Sequence, residues 1–360
     1  MTDFSYKLLE WYAVHRRELP WRGLDDPYLI WVSEIVLQQT RVEQGWGHYV
    51  RFVERFPTIR SLAVATEDEV MKQWQGLGYY ARARNMHRAA KIMAESGFPT
   101  TYESVRALPG IGPYTAAAIC SIAYGLPYPV VDGNVYRVLS RYLAVDEAID
   151  TTSGKHTFAR LAAELLPKDK AGLYNQAIMD FGALQCVPRN PQCSTCPQNE
   201  RCAAYRTSQV ADFPVKSRKE QPQDLFLHYI YTRVGDNICL RKRVPQSKDT
   251  GFRGSSIWKG LYEPPLILTP QATEADTFLQ STSFRELFAS PEEYEQSVCH
   301  VVQEGSIHRL SHRVLHLNYY AVQLPAGSQS FTDYIHIALH ECADYPVPRP
   351  IEKLFQLVLL

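Results

Sequence analysis

At 360 residues, 45% apolar and 21% charged, the chain has the length of two domains at about 150 residues each and the make-up of a globular protein. Its 38 basic and 38 acidic residues cancel, so no net field marks a polyanion binder, although local patches govern such binding. No run approaches the roughly 18 apolar residues of a membrane-spanning helix, and the opening MTDFSYKLLEWYAVHRRELPW is too polar for an export signal.

Residues 1–205 carry helix-period apolar patterns such as YLIWVSEIVLQQT, YTAAAICSIAY and NVYRVLSRYLAV, punctuated by Gly and Pro. Glu34 lies in the first of these. Burial among apolar neighbours raises a carboxyl pKa, which suits a proton donor near neutrality. Gln38 follows four residues later on the same face. A buried glutamate satisfied by a hydroxyl or amide fits the segment equally well. Leu108-Pro109-Gly110-Ile111-Gly112-Pro113-Tyr114 then leads into an apolar helix. Gly110 and Gly112 permit positive φ and close backbone approach, and exposed amides at a helix start hold a phosphate. An ordinary turn between helices is the competing reading. Asp132, in VVDGNVYRV, reads on local sequence as a helix N-cap or an Asp-Gly turn.

Cys186, Cys193, Cys196 and Cys202 form C-x6-C-x2-C-x5-C. Eight cysteines without an export signal point to metal or cluster ligation rather than disulfides, and to the cytoplasm. Four close thiolates suit an iron–sulfur cluster or zinc. Structural zinc sites usually pair two C-x2-4-C knuckles, and only one close pair exists here. Cys120, Cys239, Cys299 and Cys342 are scattered and read as core packing. A zinc deaminase needs H-x-E beside P-C-x-x-C, and no histidine here has Glu two positions on.

The tract AAYRTSQVADFPVKSRKEQPQD reads as a linker over 206–224. Its Lys216, Arg218 and Lys219 offer an alternative as a basic DNA-facing segment. Over 225–360 the period changes to that of strands: LFLHYIYTRV and ICLRKR around GDN, then RVLHLNYYAVQL and YIHIALH. The expected architecture is multidomain: a helical domain over 1–205, a linker, and a mixed α/β domain over 225–360.

The succession LPGIGPYTA, VDGNVYRV and the four-cysteine run resembles the endonuclease III superfamily of helix-hairpin-helix DNA glycosylases. LPWRGLDDPYLIWVSEIVLQQT and GLGYYARARN resemble its MutY-type adenine glycosylase branch. The resemblance implies an all-α glycosylase domain with a [4Fe–4S] cluster on the four cysteines, followed by a Nudix-like domain. It further implies hydrolysis of adenine from A:8-oxoguanine or A:G pairs in duplex DNA, by a nucleoid-associated monomer with no membrane contact.

Breaking an N-glycosidic bond calls for a protonated leaving base and a stabilised oxocarbenium-like sugar, hence two carboxyl groups. The resemblance makes Glu34 the acid that protonates adenine N7, and later the base for water. Asp132 becomes the carboxylate facing the sugar cation, with Asn134 and Tyr114 at further active-site positions. Relatives that also cut the strand carry a lysine where Tyr114 stands, as a Schiff-base nucleophile; tyrosine implies a monofunctional enzyme. Gln39 and Tyr79 match wedge residues that fill the gap left by a flipped base. Arg82, Arg84, Arg88 and Arg189 become phosphate contacts, with solvated faces as the alternative.

Leu310-Ser311-His312 resembles the family's F-S-H loop for 8-oxoguanine, with Leu310 departing from Phe. Ser255-Ser256-Ile257-Trp258-Lys259-Gly260-Leu261-Tyr262-Glu263-Pro264 resembles its W-x-G-L-[WY]-E-x-P strand region. Arg285-Glu286 is followed only at Glu292-Glu293 by the next acidic pair, too far for a Nudix hydrolase box. Rival readings are a bifunctional endonuclease III-like glycosylase for oxidised pyrimidines and a catalytically silent lesion binder.

Overall fold

The computed structural model describes residues 1–217, 221–244 and 257–359. The chain packs as two compact units, Met1–Val64 with Asn85–Lys219, and Ala65–Arg84 with Glu220–Leu360. Arg218 and Lys219 of the basic segment, and Ser255 and Ser256 of the aromatic strand motif, lie outside the described residues. Among the described residues no helix is long and apolar enough to cross a membrane.

The first unit is helical. Asp26 caps helix Pro27–Val36 by accepting from the Tyr28 N–H at 2.8 Å, and proline occupies its first turn. Helix Pro113–Tyr124 also has proline at its first position, Pro113, but its N-cap is Gly112, with no side-chain cap. Its end is marked by Gly125 in the left-handed region, φ 65°. Helices Asp3–His15, Gly133–Leu143 and Ala171–Leu184 pack around Phe4, Leu8, Leu139, Phe158, Tyr174 and Phe181. Each such side chain contributes about 1.5–3 kcal/mol on burial. The stretch read as linker divides. As far as Ser217 it is tied to the helical unit, the Val215 carbonyl accepting from Ile149 N–H and Ser217 bonding Asp150. From Gln223 it is already strand.

Among the described residues the second unit holds a seven-stranded mixed sheet. Its strands are β1 (Gln223–Val234), β2 (Asn237–Lys242), β3 (Tyr262–Glu263), β4 (Leu266–Thr269), β5 (Val298–Arg309), β6 (Arg313–Leu324) and β7 (Ile335–Ala338). The order is β3-β2-β1-β6-β5, with β4 also on β1 and β7 on β2. β1 and β6 run parallel over 12 residues, and the other pairs are antiparallel. Successive residues of β1 face opposite sides, and both sides are covered. Leu227, Tyr229 and Tyr231 pack with Ile351, Leu354 and Phe355 of helix Arg349–Val358. Ile230 and Val234 pack with Phe278, Phe284 and Phe288. A strand buried on both faces reads as a continuous apolar run rather than an alternation, as in LFLHYIY.

Residues 65–84 are packed into this unit although they precede it in the chain by more than a hundred positions. Helix Glu67–Gln73 starts with a Thr66–Glu69 capping box. Its Asp68 accepts from Lys242 Nζ at 2.5 Å and the Tyr262 hydroxyl at 3.0 Å.

Candidate active site

Four of the residues singled out in the sequence come together within the helical unit. Glu34 projects from helix Pro27–Val36 and is only 9% exposed. Burial pushes its carboxyl pKa up and nearby Asp132 raises it further, against a hydrogen bond from Tyr114 and the charge of Arg22. Tyr114, on helix Pro113–Tyr124, has its phenol pushed well above its ordinary range, by burial first and then by Glu34. That hydroxyl also meets Met179 Sδ at 3.3 Å.

Asp132 is the N-cap of helix Gly133–Leu143, as local sequence suggests. One carboxyl oxygen accepts from Val135 N–H at 2.8 Å, the other from Asn134 Nδ2 at 2.9 Å. Crowding by protein raises its pKa, while those two donors and Arg137 oppose the rise. Asn134 in turn accepts from Arg137 Nη2 at 2.8 Å, and Arg137 Nε donates to the Cys186 carbonyl at 2.7 Å. A hydrogen-bonded chain thus joins Asp132 to the backbone of the first cysteine. Gly182 makes room for it: a Cβ there would sit 2.6 Å from Asn134 Cβ.

Asp180, Arg17 and Arg22 form an ion-paired group beside this cluster, with the Arg22 charge acting on Glu34. Asp180 is fully buried. It accepts from Arg17 N–H at 3.1 Å, Arg17 Nη2 at 2.6 Å and Arg22 Nη2 at 2.7 Å. The arginines lie 163 and 158 positions away in the chain. Cationic residues beside the LPW segment mark the arginines, and the apolar run AIMDFGAL marks Asp180 as a buried acid; their pairing has no sequence mark. Gln38 Nε2 donates to Thr115 Oγ1 at 3.2 Å, so it ties the Glu34 helix to the Tyr114 helix.

Gly110 occupies φ 78°, and a Cβ there would fall 2.6 Å from Asn85 Cβ, so both conformation and space require glycine. Gly112 has extended backbone and open space where a side chain would stand, which leaves the helix start accessible. Gln39 and Tyr79 are both left-handed, at φ 56° and 47°, and both reach solvent. Such a backbone costs on the order of 1–3 kcal/mol per residue, and it clusters at functional turns. Arg88 and Arg189 are exposed, whereas Arg82 and Arg84 are partly buried.

In the second unit, Leu310 N–H donates to the Arg313 carbonyl at 2.8 Å, so Ser311 and His312 form the tip of the β5–β6 hairpin. Both are exposed. Leu310 instead packs against the sheet core, a place that an aliphatic side chain fills by burial. Tyr79 and Ser311 meet within this unit, their hydroxyls 2.7 Å apart.

Cys186, Cys193, Cys196 and Cys202 line one cavity in the helical unit, walled also by Phe4, Val138, Phe181 and Tyr205. None of the four is in a disulfide. Among the described residues no three His, Cys, Asp or Glu side chains gather as one metal ion would need. Arg141, 3% exposed, donates to Cys186 Sγ at 3.5 Å and to the Val187 and Pro188 carbonyls.

Residues 32–168 match the HhH-GPD superfamily base excision DNA repair proteins, and residues 253–357 match the NUDIX domain. The chain is 30% identical to the adenine DNA glycosylase of Buchnera aphidicola subsp. Schizaphis graminum, across 98% of each chain. It is 41% identical to that of Mus musculus, across 58% of this chain and 43% of that one. Among solved structures, a thermostable thymine-DNA glycosylase matches with a TM-score of 0.53 at 29% identity, covering 57% of this chain and 95% of that one.

Proposed function

This chain belongs to the adenine DNA glycosylases, and on that premise we propose that it removes adenine from A:8-oxoguanine and A:G pairs in duplex DNA, leaving the strand intact. The observation that carries this reading is the Glu34–Tyr114–Asp132–Asn134 cluster, Glu34 buried and the other three half-buried. It places two carboxyl groups in different surroundings, and such a difference assigns acid and base. Burial raises the pKa of both carboxyls; the rise is opposed at Glu34 by the Tyr114 hydroxyl and Arg22, and at Asp132 by a backbone N–H, an amide and Arg137. We take Glu34 as the acid and Asp132, with more donors aimed at its oxygens, as the carboxylate that carries charge.

Glu34 donates its proton to adenine N7 as the C1′–N9 bond breaks and its electron pair goes to the base. The Asp132 carboxylate faces the cationic sugar. Water then attacks C1′ and gives its proton to Glu34, which returns to its starting state. Tyr114 has no amine to form an imine with the sugar, so no strand cleavage follows. Gln39 and Tyr79 fill the duplex where adenine leaves, and Ser311 with His312 meets the partner base. 8-Oxoguanine carries N7–H where guanine has an acceptor, a difference that a hydroxyl can read. The enzyme works as a monomer on DNA in the nucleoid.

Single-turnover reactions on duplexes with A:8-oxoguanine, A:G, thymine glycol and an abasic site test the reading. The expected product is an abasic strand from the first two only, cut solely after alkali. Cleavage without alkali, or stoichiometric borohydride trapping, favours the bifunctional rival. Ser311→Ala with His312→Ala is expected to lower the 8-oxoguanine preference while excision itself changes little. An unchanged ratio removes the hairpin tip from recognition.

The four cysteines fit a [4Fe–4S] cluster. Each thiolate of such a cluster binds its own iron, which suits thiols spread around a cavity wall, and Arg141 offsets their negative charge. When bound, the group supplies a rigid four-point crosslink and a one-electron redox centre. Purified protein is expected to hold four irons and four sulfides per chain and absorb broadly near ~400 nm. One zinc per chain without sulfide would exclude it.

A further inference from the structure

The turn that presents Tyr79 is built around one arginine. Arg82 stands in the first turn of helix Ala81–Ser96. Its guanidinium carbon lies 5.2 Å from the Trp74 ring centre and 5.5 Å from that of Tyr79. Its Nη2 donates to the Leu77 and Gly78 carbonyls at 3.3 and 3.2 Å. The Gly78 carbonyl also accepts from Trp74 Nε1 at 3.1 Å. Tyr79 itself is held left-handed and half exposed, at 51%. Loss of water around Arg82 pushes its pKa down to about 10, as befits a guanidinium turned into the protein rather than out to solvent.

We propose that Arg82 is the positioning residue for Tyr79, holding the ring in its wedge orientation, and is not a phosphate contact. Two requirements make arginine the side chain for this task. A flat cation can lie against two rings while its fork reaches two consecutive carbonyls, and a lysine ammonium, as a compact point charge, does not reproduce that geometry. The two carbonyls belong to the residues just before Tyr79, so their anchoring fixes the backbone from which the ring projects. The assignment rests on reading Tyr79 as the wedge.

The test uses the full chain with Arg82→Lys, Arg82→Gln and Tyr79→Ala. Affinity and single-turnover excision are measured on A:8-oxoguanine and A:G duplexes across a salt series. Both Arg82 variants are expected to lower the 8-oxoguanine preference by roughly 3- to 10-fold, in line with a partly desolvated cation–π contact. The slope of log Kd against log salt should stay as in the native protein. Losing one phosphate contact would change it by about 0.9. The preference is a ratio taken on one preparation, so a general loss of folded protein cancels from it. Should Arg82→Gln fold poorly, Arg82→Lys decides alone.

A slope change of about 0.9 with the preference intact would overturn the assignment and make Arg82 a phosphate contact. So would a preference kept by Lys and lost by Gln, since charge alone would then suffice. Tyr79→Ala separates the two layers of the argument. If it leaves the preference untouched, the wedge reading fails; if it abolishes the preference while the Arg82 variants do not, only the role of Arg82 fails.

Discussion

Glu34→Gln is expected to abolish base excision while raising the melting temperature. The amide keeps the shape of the side chain but has no carboxyl proton to give to adenine and cannot take one from water. A positioned acid is worth roughly 10²–10⁴-fold, and a group used in both half-reactions lies at the upper end. Binding to A:8-oxoguanine duplex should be unchanged. The stability gain follows from linkage. Burial raises the folded-state pKa of Glu34 above its unfolded value, so the folded protein binds more protons between the two. Stability associated with this group is therefore fully present below the unfolded pKa and lost as pH rises through the folded one. At neutral pH the native chain carries that loss and the Gln variant does not. Excision by the native chain should fall as pH rises through the raised pKa. Thermal melts and single-turnover rates from about pH 5 to 9, spanning the ordinary and raised carboxyl ranges, check both halves. A variant within ten-fold of native excision, or less stable than the native chain at the alkaline end, contradicts the assignment.

Asp180→Ala should have the largest effect on stability. Asp180 is fully buried, and its carboxylate is shared by Arg17 and Arg22. Removing one partner of a buried ion pair leaves charge without compensation, at about 3–5 kcal/mol, against a total of about 5–15 kcal/mol for a domain. The effect also reaches the chemistry. Arg22 already opposes the raised pKa of Glu34. Without its carboxylate it would do so more strongly, and the pH limit of excision should move to lower pH. Urea titration gives the first quantity and the pH profile the second. A stability change under about 1 kcal/mol would show the arginines finding water or another acceptor instead.

The boundary between helix-period and strand-period sequence near residue 225 carried the fold, because each element reports its own burial through the spacing of its apolar residues. The cysteine run and the conformation of the Gly110 turn were legible for a similar reason, since their spacing and turn chemistry are local; the close approach of Asn85 to Gly110 was not. The rest of the pocket is not of that kind. The carboxylate of Asp180 meets arginines 163 and 158 positions away; its apolar setting, AIMDFGAL, marks a buried acid as the Glu34 segment does, but its partners lie in a distant segment. Gly182 looks like an unfavourable glycine in a helix, a cost of about 1 kcal/mol; its reason is Asn134, on another helix. At the β5–β6 tip, adjacency in sequence groups Leu310 with Ser311 and His312. Burial separates them, since an aliphatic side chain gains more against the sheet core than in water.

Asp132 holds a position that the fold uses as a cap and that the proposed chemistry would use as well. Aspartate and asparagine are about equally good N-caps, so Asp132→Asn removes the charge while leaving helix Gly133–Leu143 capped. Alanine would lose the cap as well, at about 0.5–2 kcal/mol. Changes at this one codon therefore sort into different phenotypes. An unstable product is cleared by proteolysis and behaves as a simple absence. A folded one that keeps the proposed DNA face is expected to stay on the mispair without excising adenine and to shield it from a native copy. In a cell expressing both forms, the substitution milder for the fold is expected to be the more harmful one, and mutation rates with the Asn and Ala variants beside the native copy would check it.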